Sequence, residues 1–227
     1  MKPLAARLIL VRHGHVAGNP AGKGRPDSDA RMNGWIDTPL SPLGWLQVNA
    51  LRERMKREPP AVARYSSPLQ RAAMTARALA GLPFGPLRLL DELKEIHCGK
   101  VDGWLATETR LRYPEVWEAN LRQDDDDLRW PGGESYRELR ERCVSAVRRI
   151  VAEHPGERVL VFTHAGVISQ LLGVIHGLRP ASWEQFRPGN CGITEIEWMD
   201  GAGRLIRFDD RSHLEGLPGA PDAIVSR

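Results

Sequence analysis

Leu8-Ile9-Leu10-Val11-Arg12-His13-Gly14 is the first strong element of the chain, with four branched apolar residues between Arg7 and Arg12. An apolar run of this length, without polar alternation, suits a strand buried on both faces, as in a parallel sheet covered by helices. Working outward, Val159-Leu160-Val161-Phe162 repeats the signature, and Ala61–Tyr65 and Leu87–Leu90 read as weaker strands. Helical patterns fall between them. Ser41-Pro42 pairs an N-cap with a first-turn proline and opens a helix to about Arg57, with Leu43, Leu46, Ala50, Leu51 and Met55 as its expected buried face. Ser67-Pro68 repeats the cap signal before a helix through Leu79. Ser135 and Glu138 form a capping box ahead of a helix with Leu139, Cys143, Val147 and Ile150 on one face. Ala165–Ile175 is a further, largely apolar helix, and Ile193–Trp198 with Leu205–Phe208 predict a hairpin around Asp200-Gly201-Ala202-Gly203. Alternating strands and helices imply an α/β fold of three layers, with a mostly parallel central sheet and helices on both faces.

The 227 residues form, on this reading, one domain over 1–215. An excursion of short helices and loops spans about 91–133, and a Pro/Gly/Ala-rich, flexible tail spans 216–227. Against 29 Asp and Glu stand 32 Lys and Arg, a net charge of +3 that is too weak and too mixed for a nucleic-acid partner. No apolar run reaches membrane-spanning length, and the start lacks a signal-peptide pattern. Cys98, Cys143 and Cys191, odd in number and far apart, suit reduced thiols in a cytoplasmic protein. The oligomeric state stays open, a dimer included.

Three segments follow directly on strands, where open α/β sheets place their ligand sites. They are Arg12-His13-Gly14-His15 leading to Asn19, Ser66-Ser67-Pro68-Leu69-Gln70-Arg71, and Thr163-His164-Ala165-Gly166. Parallel strands would bring two arginines, two histidines and two helix N-termini to one crevice. Arginine offers phosphate a planar, permanently charged fork, and helix N-termini add N–H groups aimed at an anion. Cations without a carboxylate cluster suggest a phosphate site that uses no metal and no cofactor. Cationic neighbours also keep a histidine ring neutral, with a lone pair free to attack phosphorus.

Leu10-Val11-Arg12-His13-Gly14, Asn19, Gly34-Trp35 with Asp37–Ser41, Ser66–Arg71 and Thr163-His164-Ala165-Gly166 resemble, in order, the histidine phosphatase superfamily of phosphoglycerate-mutase-like enzymes. The resemblance implies that His13 becomes a phosphohistidine, with Arg12, Arg71 and His164 around the phosphoryl group and Asn19 as a polar contact. It also implies that Glu95, in Asp91–Gly103, protonates the leaving alcohol and then activates water; Glu92 is its competitor. His15, His97, His154, His176 and His213 are read as structural, although His15 lies close enough to line the pocket.

Within the family the chain resembles phosphatases more than cofactor-dependent mutases. It lacks their long insertion after the acidic segment and carries Pro131-Gly132-Gly133-Glu134-Ser135, as the shorter phosphatases do. The loop from Asn19 to Gly34, with Lys23, Arg25 and Arg31, is longer than in the mutases. Without an enclosing insertion, water competes for the phosphohistidine. The expected substrate is a small phosphomonoester, α-ribazole phosphate being one candidate, and phosphoglycerate mutase is the alternative activity. Two other classes stay open. The His13/His15 pair could bind metal, although Arg12 adjoins it and no further ligand set follows. A non-catalytic phosphate-binding protein could also keep this fold.

Overall fold

A computed structural model describes residues 5–19, 30–199 and 202–218. The strands are β1 (Ala6–Arg12), β2 (Ala63–Ser66), β3 (Leu87–Leu89), β4 (Arg158–Thr163), β5 (Ile193–Met199) and β6 (Ala202–Asp210), in the sheet order β3-β2-β4-β1-β5-β6. Neighbours from β3 to β1 are parallel; β5 runs antiparallel to β1, and β6 antiparallel to β5. The helices are α1 (Pro42–Met55), α2 (Gln70–Arg77), α3 (Ala106–Arg112), α4 (Pro114–Arg122), α5 (Tyr136–Glu153) and α6 (Ala165–Ile175).

Residue alternation in the parallel strands builds a core on each face. Leu8, Leu10, Tyr65, Val159 and Val161 meet Leu139, Cys143, Val147 and Ile150 of α5 and Val167, Ile168 and Leu171 of α6. Ile9, Val11, Leu160 and Phe162 meet Val48, Leu51 and Met55 of α1 and Ala76 of α2. Each such large side chain contributes about 1.5–3 kcal/mol by leaving water, so the two-faced strands anchor the three layers. The excursion carries a small core of its own, in which Cys98, Val101 and Trp130 pack with Met32, Trp104, Tyr113 and Trp117.

Two expectations for the helices change. The buried face of α1 is Gly44, Gln47, Val48, Leu51 and Met55; Leu46 is exposed, and Leu43 and Ala50 are half-buried. The glycine lets α1 approach His15 so closely that a β-carbon there would stand 2.2 Å from the His15 carbonyl oxygen, which rotates the helix off its leucine stripe. Ser41 does cap α1, accepting from the Gly44 N–H. Ser67, by contrast, is not the N-cap of α2, which starts at Gln70 after Leu69; its hydroxyl accepts from the Leu69 N–H at 3.3 Å and meets His164 Nε2 at 2.8 Å. The expected turn residues Asp200 and Gly201, the basic loop residues Lys23 and Arg25, and the tail from 219 onward lie outside the described residues. Among the described residues no helix is long and apolar enough to cross a membrane.

Candidate active site

β1, β2 and β4 end level with one another. Arg12 is in register with Thr163, and Ser66 with Phe162. The next N–H groups continue the ladder, from His13 to the Thr163 carbonyl and from Ser67 to the Phe162 carbonyl, both at 3.0 Å. His13, Ser67 and His164 therefore emerge side by side, and the His13 and His164 rings lie 5.1 Å apart.

His13 is buried, and its Nδ1 stands 2.7 Å from the carbonyl oxygen of Gly14. A carbonyl only accepts, so Nδ1 carries the proton and Nε2 holds the free lone pair. Burial, then Arg71 and Arg12, hold the His13 pKa well below that of an ordinary histidine. His164 is likewise neutral, pushed well down by burial and Arg71. Its Nδ1 accepts from Arg71 Nε at 3.3 Å, which leaves Nε2–H to donate to Ser67 Oγ at 2.8 Å.

The two arginines differ. Arg12 donates through Nη1 to the Pro188 carbonyl at 2.7 Å, while its buried Nε has no protein partner among the described residues. Burial and then Arg187 lower its pKa to about 10, so it stays charged at neutral pH. Arg71 is fully buried. Besides His164 it donates to the carbonyls of Asn33, Gly34 and Ile36, at 3.2, 2.6 and 2.8 Å. Those bonds employ four of the five N–H groups on the guanidinium. The expected two-pronged phosphate fork at Arg71 is thus turned onto the 33–36 loop.

Carboxylates occupy both helix N-termini that were expected to face an anionic ligand. Asp37 Oδ1 accepts from Gln70 N at the start of α2, at 2.6 Å. Glu95 Oε2 accepts from Gly166 N at the start of α6, at 3.1 Å, while its Oε1 accepts from Ile96 N at 2.9 Å. Helix ends favour negative charge, and here the protein supplies it. Glu92 points elsewhere, its carboxylate paired with Arg149 at 2.7 Å, whereas Glu95 lines the same cavity as His13.

A cavity of about 350 Å³ reaches Arg12, His13, Asn19 and Glu95. Met32, Trp117, Trp130 and Tyr136 provide apolar wall, and Arg31, Glu184 and Arg187 add charge. Arg71 and His164 stand behind His13 and do not line it. Asn19 does, and its Oδ1 accepts from Asn190 Nδ2 at 3.3 Å. His15 joins loop to helix: its Nε2–H donates to the Asn19 carbonyl at 2.9 Å, and Nδ1 lies 2.7 Å from Ser41 Oγ. With both ring nitrogens so engaged, His15 is not turned toward a shared metal with His13. Among the described residues no three His, Cys, Asp or Glu side chains group so as to hold a metal ion.

Sequence reasoning missed Trp35, Asp102, Glu134, Arg142 and Asn190 as supports of the site. Asp102 accepts from Gly34 N and Trp35 N, holding the loop that holds Arg71. Asn190 donates to the His13 carbonyl at 3.0 Å. A signal existed for Arg142, which interrupts the apolar face of α5 between Leu139 and Cys143. No comparable signal marks Asn190.

The model of the histidine phosphatase superfamily (branch 1) matches residues 8–211. A metal-independent phosphoserine phosphatase of Arabidopsis thaliana is 38% identical over 212 residues, covering 92% of this chain and 84% of the relative. Phosphoglycerate mutase-like protein 4 of the same plant is 32% identical, covering 92% and 87%. The structure of YhfR from Bacillus stearothermophilus superimposes with a TM-score of 0.79 at 30% identity, covering 93% of this chain and all of that one. The strand-end histidines and arginines and these matches along nearly the whole chain converge: the chain belongs to the histidine phosphatase superfamily.

Proposed function

We propose that the chain hydrolyses a small phosphorylated metabolite through a phosphohistidine on Nε2 of His13, with Glu95 as general acid and base and no metal. The observation that carries this reading is the bond from His13 Nδ1 to the Gly14 carbonyl. It fixes the tautomer and leaves Nε2 as a nucleophile in a ring that burial and two arginines keep neutral. In the first step Nε2 bonds to phosphorus as the P–O ester bond breaks, and the Glu95 carboxyl gives its proton to the leaving oxygen. In the second, the Glu95 carboxylate takes a proton from water, whose oxygen displaces Nε2 and releases inorganic phosphate. Arg12 and the charge of Arg71 stabilise the transferring group, with His164 beside it and Asn19 as a polar contact. Positioning and charge of this kind supply most of the catalysis of phosphoryl transfer.

The cavity size suits a metabolite, and its apolar wall suits an organic group beyond the phosphate. Because one relative is a phosphoserine phosphatase, phosphoserine heads the test panel, with p-nitrophenyl phosphate, α-ribazole phosphate, and 3-phosphoglycerate with and without 2,3-bisphosphoglycerate. The assay is run in EDTA beside His13→Ala. Free phosphate that disappears in the variant supports the reading. Isomerised phosphoglycerate with little free phosphate would make the chain a mutase, and activity that needs added metal or survives His13→Ala would overturn the mechanism.

A further inference from the structure

We propose that Arg142 is a positioning residue for Glu95, holding the backbone that carries the general acid; the inference rests on the reading of Glu95 just given. Arg142 lies nearly two turns into α5, a helix made rigid at its start by the Ser135/Glu138 capping box. Its side chain crosses to the irregular segment after β3. Nη1 donates to the carbonyls of Glu92 and Lys94, at 2.8 and 2.7 Å. Nη2 donates to the carbonyl of Glu95 at 2.8 Å and to Glu134 Oε1 at 2.5 Å, and Nε donates to Glu134 Oε2 at 2.9 Å. These five bonds employ every donor of the guanidinium. Glu134 completes the clamp from the far side, with Oε1 accepting from His97 N at 2.8 Å. Residues 92, 94, 95 and 97 are thereby pinned, and only the Glu95 side chain remains to be set, by Ile96 N and Gly166 N.

Fold stability alone does not account for this device. The Arg142 and Glu134 side chains are 18% and 14% exposed, and a desolvated ion pair of this sort gains little over an apolar pair of the same shape. A guanidinium fork does what an apolar pair cannot: it fixes three carbonyls and a carboxylate in one plane-defined arrangement. That matters at a proton donor, where a displacement of about 1 Å costs roughly 100-fold in rate.

The test uses leaving groups. p-Nitrophenolate departs with little help from a proton, whereas an alkoxide needs one, so displacement of the acid is felt selectively on alkyl esters. Single-turnover release of the alcohol is measured for p-nitrophenyl phosphate and for an alkyl phosphomonoester that the wild type hydrolyses. The proteins are wild type, Arg142→Met, Arg142→Lys and Glu95→Gln, each checked by thermal melting. Both Arg142 variants should lose about 10- to 100-fold on the alkyl ester but only about threefold or less on the aryl one, with KM little changed. Lysine should not rescue, because one ammonium cannot span three carbonyls and both oxygens of a carboxylate. Equal loss on both esters, or none on the alkyl ester, makes Arg142 merely structural and overturns the proposal. Glu95→Gln separates the two claims: if it shows no leaving-group selectivity, the acid assignment itself fails. Should the Arg142 variants not fold, Glu134→Gln loosens the same clamp from its other end. Selective loss on the alkyl ester is then expected of that variant, and equal loss or none overturns the proposal in the same way.

Discussion

Gly166 and Glu95 meet where α6 begins: the Gly166 N–H donates to Glu95 Oε2 at 3.1 Å, and a β-carbon on Gly166 would stand 2.1 Å from Oε1. The obstructing atom is the end of a flexible side chain, so Gly166→Ala is accommodated by moving the carboxylate rather than the fold. Alanine also favours the helix over glycine by about 1 kcal/mol. Gly166→Ala should therefore keep or raise the melting temperature while kcat on an alkyl phosphomonoester falls by about tenfold or more. Thermal melts and steady-state kinetics on one preparation check this; wild-type kcat in a folded variant would show that the Glu95 position is not critical.

Arg71 supports the 33–36 loop. Its bonds to the Asn33, Gly34 and Ile36 carbonyls tie the loop to α2, and Asp102 holds the same loop through its N–H groups. A lysine at 71 keeps the charge and loses the planar fork, leaving carbonyls without donors at a cost on the order of 2 kcal/mol. Arg71→Lys should lower the melting temperature and cut kcat/KM by about 100-fold or more. Activity within about threefold of wild type would mean that charge alone suffices at this position.

The sheet and the strand-end residues were legible because buried parallel strands are continuous apolar runs, and their C-terminal ends mark where a ligand sits. Leu8–Val11 and Val159–Phe162 locate the central strands, and His13, Ser67 and His164 follow their register. The supports of the site were less legible. Arg71, Arg142 and Asn190 act on backbone carbonyls distant in sequence, and a carbonyl belongs to every residue, so no side-chain pattern announces its partner. Helix N-termini were over-read for a related reason: whether an orphan N–H faces a ligand or a carboxylate such as Asp37 depends on a loop conformation with no period.

His13 and His164 should not titrate like ordinary histidines. Burial, followed by Arg71, pushes both well below the usual value. In the ligand-free enzyme, their imidazole C–H signals, identified by His13→Ala and by His164→Ala, should hold still as pH falls from about 8 through the ordinary histidine range. A midpoint near the ordinary histidine value for either ring would mean that the arginine-lined strand ends do not hold it neutral.

His213 gives a stability test with a definite sign. Burial lowers its pKa to about 4, with Asp210 opposing and Arg54 adding to the shift. The unfolded chain takes up a proton below about pH 6.5, whereas the folded chain does so only near pH 4. Between those values the unfolded state binds more protons, so the stability present above pH 6.5 is lost progressively as pH falls and then levels off. His213→Leu removes this contribution, and urea unfolding at about pH 7, 5.5 and 4.5 measures it. The wild type should lose about 1–2 kcal/mol more than the variant across that range, a figure reduced for the partial exposure of the ring. His13 and His164 add acid sensitivity of the same sign to both proteins and cancel in the difference, so parallel curves would place the acid sensitivity elsewhere.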